Sequence, residues 1–154
     1  MISILLVTII LSFIPISELR GGMIYAIANG MNPYSAFLIC VVANILGVLF
    51  AFFFLDFLHK EFMKIGFYKK AFDKYMEKTR KKADDIEKKM GNYGFLALAI
   101  FVAIPIPATG GWTGALIAWY LGLDRKKSLA SISLGVLAAG ILILLVSLGL
   151  IKLF

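Results

Sequence analysis

Two apolar runs in this chain are long enough to cross a lipid bilayer as helices, and three others are not. Ser35–Leu55 and Ser128–Ile151 each supply the ~20 residues that a hydrocarbon core of about 30 Å requires. As helices rising ~1.5 Å per residue, Met1–Ile14 would reach about 21 Å, Phe95–Ile104 about 15 Å and Trp112–Leu123 about 18 Å. The short runs abut breaks: Pro15 with Gly21 and Gly22 in the first region, Pro105 and Pro107 with Gly110 and Gly111 in the second. Proline removes a backbone donor and kinks a helix, and glycine permits a tight reversal. The chain is 61% hydrophobic and only 16% charged, which excludes an ordinary soluble domain. An all-α integral membrane protein is expected, one domain over residues 1–154 with no room for a separate enzyme domain. The N-terminus lacks a basic lead-in and a small-residue cleavage site, so it reads as mature structure.

Charge sets the orientation. Between His59 and Asn92 stand eleven Lys or Arg and six Asp or Glu, and Arg125, Lys126 and Lys127 form a second basic cluster. Such positive segments stay cytoplasmic. The formal charge of +7 is confined mostly to these two places, which argues for a membrane protein and against a nucleic-acid partner. If residues 1–31 and 94–123 were each one kinked span, Asp124–Lys127 would lie outside, against this rule. If both are re-entrant hairpins, residues 59–92 and 124–127 are cytoplasmic and residues 29–34 face outward. The hairpin topology fits every charge and every length. It predicts a first half (1–58) made of hairpin 1–31 and transmembrane helix 35–57. A basic amphipathic helix over 59–92 follows, then a second half (93–154) made of hairpin 94–123 and transmembrane helix 128–151. Both termini are expected outside the plasma membrane.

An internal repeat supports this plan. Ile14-Pro15-Ile16 recurs as Ile104-Pro105-Ile106, Gly21-Gly22 as Gly110-Gly111, and Leu46-Gly47-Val48-Leu49 as Leu134-Gly135-Val136-Leu137. The distance is 32 residues from Pro15 to Gly47 and 30 from Pro105 to Gly135. The hairpins open to opposite sides, so the repeat is inverted, as in many secondary transporters.

Irregular backbone at membrane depth must be buried in protein or line a watered cavity, so the two tips are expected to meet. The first supplies Ser17, Glu18 and Arg20, and an acid and a base placed there mark a functional site by default. The second supplies Thr109, Trp112 and Thr113. Half-helices starting near Gly22 and Gly111 would point their positive ends at the same place. Asn44, the one amide at that depth on the long span, is placed to hydrogen-bond a tip. Glu18 and Arg20 have two readings. One is a structural ion pair that locks the hairpin, a weak source of stability once desolvation is counted. The other gives Arg20 an anionic group to bind in a two-bond fork and makes Glu18 a proton site.

From Lys60 to Lys89, Phe62, Ile65, Phe72, Met76, Thr79, Ala83, Ile86 and Met90 recur at helical spacing among lysines. This amphipathic helix is expected on an anionic cytoplasmic leaflet, with Phe62, Lys64, Lys69, Lys70 and Lys74 at the lipid surface. A solvated spacer or a dimer coiled coil would show the same stripe. His59 reads as an ordinary interfacial residue, and Cys40 as lipid-facing or packing filler. With one cysteine and one histidine, neither a disulfide nor a metal cluster is expected, and no cofactor. Trp112 and Trp119 read as packing or interface anchors.

The strings Glu18-Leu19-Arg20-Gly21-Gly22 and Pro105-Ile106-Pro107-Ala108-Thr109-Gly110-Gly111-Trp112-Thr113-Gly114-Ala115-Leu116, with Asn44 between, resemble the small multidrug export family of prokaryotic membrane proteins. The resemblance covers nearly the whole chain outside residues 60–90. It departs where that family often carries Ile-Pro soon after Arg-Gly; here Met23-Ile24-Tyr25 stands there. More distantly the plan is similar to the DedA (VTT-domain) superfamily, whose paired re-entrant hairpins carry an acid and an arginine and which is implicated in moving lipid phosphates. That superfamily typically has an arginine on the second hairpin too, whereas Pro105–Gly111 is uncharged here.

No hydrolytic triad, phosphate loop or nucleotide fingerprint is present in the sequence, so a non-enzyme is expected. The leading expectation is a proton-linked transporter of an anionic or lipid-phosphate substrate. Behind it stand a multidrug exporter for hydrophobic cations and a non-transporting scaffold that organises lipid. Two full spans are few to enclose a pathway, which points to a homodimer.

Overall fold

Short local signals start and stop the helices. The computed structural model describes residues 2–89, 93–104 and 109–149. Helix α1 covers Ile2–Phe13 and α2 covers Glu18–Ala28. Gly30, at φ +82°, ends α2: its amide bonds to the Ile27 carbonyl and that of Met31 to the Ala26 carbonyl, a paired closure that needs left-handed backbone. Asn32 then starts α3, Pro33–Phe53, its side chain accepting from the amides of Tyr34 and Ser35, with Pro33 at the first helical position. The same punctuation recurs later. Helix α7, Gly111–Tyr120, ends at Gly122 (φ +64°) with bonds to the Trp119 and Ala118 carbonyls. Asp124 then caps α8, Arg125–Ser147, through the Lys127 amide.

Helix α3 runs on through a wide π turn at Phe54–Leu58 and the short α4, His59–Phe62, giving one apolar rod over Pro33–Phe62. Among the described residues, this rod and α8 are the two helices long and apolar enough to cross a membrane, and they pack together. They run antiparallel. Gly140 lies against Phe37 and Val41, while Arg125 at the other end pairs with Asp56 and stacks on Phe52. The charged ends of α3 and α8 therefore share one end of the bundle. The expected span Ser35–Leu55 is extended at both ends, and the expected span 128–151 begins earlier, at Arg125.

Around this pair sit the short helices. α1 packs on α2 and α3, while α6, Gly94–Ala103, packs chiefly on α8. Small residues admit the close contacts. A side chain on Gly47 would come within 2.7 Å of the Phe13 carbonyl, and one on Gly135 within 2.6 Å of the Ala99 carbonyl. The glycines of the two Leu-Gly-Val-Leu strings thus each let a short helix close on the middle of a long one, Gly47 at the end of α1 and Gly135 midway along α6. The core between them is apolar, with Met23, Leu98, Ile117 and Ile132 fully buried. Cys40, also fully buried, is packing filler there.

The basic segment differs from its expected form. It is two pieces, α4 and α5 (Gly66–Lys89), separated by a turn. Phe72, Met76 and Thr79 do not await a membrane. Met76 is buried with Leu55 and Leu116, Phe72 and Trp119 pack beside them, and Thr79 is buried. His59 is buried, its ring centroid 4.2 Å from that of Phe72 and 5.2 Å from that of Trp119. The reason is geometric: an apolar stripe satisfied by a neighbouring helix leaves the same sequence pattern as one satisfied by lipid. Lys64, Lys69, Lys70 and Lys74 are exposed, as are Phe62, Ile65 and Phe67.

Candidate functional site: two helix breaks that cap each other

The two interruptions, after α1 and after α6, come together beside Asn44 and Gly47 of α3. A broken helix leaves carbonyls without partners at one new end and amides without partners at the other. Those groups are satisfied across the two halves. The Glu18 carboxylate accepts from the backbone amide of Trp112 (3.2 Å), with Gly111 as a second amide partner, and so caps the first turn of α7. A carboxylate suits that position, where the peptide dipoles present positive charge. Arg20 does the converse. Its Nη2 donates to the carbonyl of Ile104, at the C-terminal end of α6, at 2.8 Å, and to the Thr109 hydroxyl at 3.2 Å. Thr109 donates to the same carbonyl at 2.7 Å.

The favour is returned. The Trp112 indole Nε1 donates to the Phe13 carbonyl, at the last residue of α1, at 2.7 Å. Ser17 closes its own break by donating to the Leu11 carbonyl. Asn44 Nδ2 donates to the Ser12 carbonyl at 2.9 Å, so it does bond the first tip. Its Oδ1, completely enclosed, has no partner among the described residues and faces Gly111. Glu18, Arg20, Asn44, Gly110 and Gly111 border a cavity of about 10 Å³, room for about one water molecule.

The glycines divide in role. Gly110 lies where any side chain would overlap the Glu18 carboxylate, so it is what lets the acid reach α7. Gly111 is pressed between Val48 and Asn44. Gly21 and Gly22, expected at the reversal, lie inside α2, which starts at Glu18 and not near Gly22. Their missing side chains instead make room for Ser17 and for Ser12 with the Thr8 carbonyl. The reversal falls on residues 14–17, and Glu18 takes φ +50°, a left-handed conformation uncommon outside glycine. Pro105 and Pro107 lie outside the described residues.

Thr113 bonds sideways. Its Oγ1 is 2.8 Å from the hydroxyl of Tyr75 on α5, which ties the amphipathic helix to the break. Tyr75 is a site residue that sequence reasoning places only among Phe62, Phe67, Tyr68 and Phe72, which crowd the start of the amphipathic segment. Its place in the aromatic crowd at the start of α5 is a signal for packing, and nothing in that signal separates protein from lipid as the partner. Asp56 escapes sequence reasoning as well; its bond to Arg125 shows that the second basic cluster is partly held by an acid at the end of the α3 rod.

Residues 18–142 match the family described as "Putative small multi-drug export protein". The chain belongs to that family. The match begins at Glu18, so it takes in Glu18, Arg20, Asn44, Ile104, Thr109, Gly111 and Trp112 and leaves out Leu11, Ser12, Phe13 and Ser17. No curated protein and no solved structure matches the chain.

Proposed function

We propose that this small multi-drug export family member is a proton-linked membrane transporter, a carrier and not an enzyme, whose gate is the Glu18–Arg20 clamp. One observation supports the reading: an acid and a base at one helix break hold the helix ends of the break in the opposite half of the molecule. Protonating Glu18 removes the charge that α7 favours and weakens its bonds to the amides. The two breaks would then part, and the pair of hairpins, which we read as re-entrant from opposite faces and related as an inverted repeat, would expose the site to one side. On this reading residues 59–92 and 124–127 face the cytoplasm of a prokaryotic cell and both termini face out. The exposed lysines of α5 lie toward anionic lipid, and two copies associate.

A second reading concerns the substrate. The α7 amides and Arg20 together form a place for an anionic or lipid-phosphate group, which would take over the bonds that Glu18 makes. Two facts weigh against it in the closed form: Arg20 is engaged with Ile104 and Thr109, and the space there fits about one water. Uptake into proteoliposomes under an imposed pH gradient tests both. Glu18→Gln is expected to lower pH-driven flux of either an aromatic quaternary cation or a short-chain lipid phosphate by more than tenfold. Unchanged flux would sink the proton role. Loss of lipid-phosphate flux alone in Arg20→Ala would favour the second reading.

A further inference from the structure

Beside Trp112 lies a larger space that neither the clamp nor the core explains. It has a volume of about 220 Å³ and runs between the first break and α5. Five aromatic rings line it: Phe54, Tyr68, Phe72, Tyr75 and Trp112. Ala51, small and buried, forms part of its floor. Among the described residues, no lysine, arginine or histidine is on its wall. Behind its walls stand one titratable base, His59 against Tyr68 and Phe72, and one acid, Glu18. Glu18 bonds to the backbone of Trp112, whose ring lines the chamber.

We infer that this chamber is a binding site for a flat or compact organic cation, seated against the faces of the five rings. Aromatic faces carry partial negative charge and attract a cation within ~6 Å of the ring centre, most strongly where water is excluded. A mostly apolar pocket with few convergent polar groups is the usual form of a small-molecule site. The hydroxyls of Tyr68 and Tyr75 are turned to His59 and Thr113, so recognition falls to the aromatic rings. The inference also explains the aromatic start of α5. Tyr68, Phe72 and Tyr75 are one wall of the chamber, so the helix is a lid and not only a surface anchor. Trp112 belongs to both places. Its indole edge holds the end of α1 while its ring lines the chamber, so a ligand pressed on that ring touches the gate. The assignment deepens the carrier reading and rests on it for its consequence, though binding is measurable without transport.

The test uses the purified full chain with Trp119→Phe, which leaves Trp112 as the sole tryptophan. N-benzylpyridinium, whose ring quenches indole emission on contact, is titrated in detergent. Diphenylmethane, its uncharged isostere, and phenylphosphonate serve as competitors, with all concentrations referred to free ligand. Saturable quenching is expected, weakened at least tenfold by Ala51→Phe, which fills the floor. Diphenylmethane is expected to compete at least tenfold less well, and phenylphosphonate not at all. Quenching that survives Ala51→Phe unchanged places the ligand elsewhere and overturns the site. Equal competition by diphenylmethane, or better competition by phenylphosphonate, overturns the cation. Should Ala51→Phe fail to fold, Phe72→Leu replaces it: several-fold weaker cation binding with diphenylmethane unaffected supports the inference, and no change in either overturns it. Loss of binding with Glu18-dependent flux intact would strike down this chamber alone. Binding without such flux would strike down the carrier reading alone.

Discussion

The two helix breaks differ in what they carry. The first has every charged group, Glu18 and Arg20, and closes part of itself through Ser17. The second, in its described part, offers only backbone, Thr109 and an indole, and both of its helix ends are met from the first. One pair of charges is thus enough for two breaks, provided the acid goes to exposed amides and the base to exposed carbonyls. That division also explains how residues two apart in sequence serve two helix ends: each finds its complement in a different peptide group. An ion pair that merely locks one hairpin is the wrong description of where their hydrogen bonds go.

The comparison can be broken most severely at Gly110. Gly110→Val would drive a side chain into the Glu18 carboxylate and uncap α7 from outside the acid itself. We expect the largest loss here, with no folded, monodisperse protein recovered or a marked fall in the detergent melting temperature. A melting temperature near that of the parent would show that Glu18 is not needed where it stands. Glu18→Ala comes next. It leaves the amides of Gly111 and Trp112 without their acceptor, at a cost of about 2–3 kcal/mol for bonds to a charged group. Glu18→Gln keeps an acceptor and should cost clearly less, and equal losses in denaturant unfolding would refute capping as the role.

Trp112→Phe sharpens the return contact. It keeps a ring but removes the donor to the Phe13 carbonyl, and about 1–2 kcal/mol of destabilisation is expected. Hydrogen exchange should quicken at the end of α1 and not in α8. Asp56→Asn, at the rim and away from both breaks, is the smallest: a half-exposed pair with Arg125 contributes less than about 1 kcal/mol. A large effect from it, measured by thermal melting at low and high salt, would mean that the clamp is not the main tie between the halves.

Much of this fold could be read from residue order, for physical reasons. Span length is fixed by bilayer thickness, so the long helices Pro33–Phe62 and Arg125–Ser147 follow from their apolar runs. Charges and prolines cannot be hidden in such runs, so the breaks announce themselves. What lay beyond reach was direction. Nothing in the string Ser17-Glu18-Leu19-Arg20 says that Glu18 adopts left-handed backbone and so sends its carboxylate to α7 while Arg20 reaches α6. Gly21 and Gly22 misled for a related reason, since a glycine that relieves crowding inside a helix is spelled like one that turns the chain. The stripe of α5 was legible as a stripe; that Phe72 and Met76 within it pack on Leu116 and Trp119 depends on where α7 ends, which is a property of the assembled bundle.

The cross-linked caps have a consequence for how the molecule can be divided. Each half holds the plug for the other's open socket, so neither half can mature as an independent module. A chain severed at the turn near Met63–Ile65 should yield two fragments that are unstable when expressed singly and that reunite when made together.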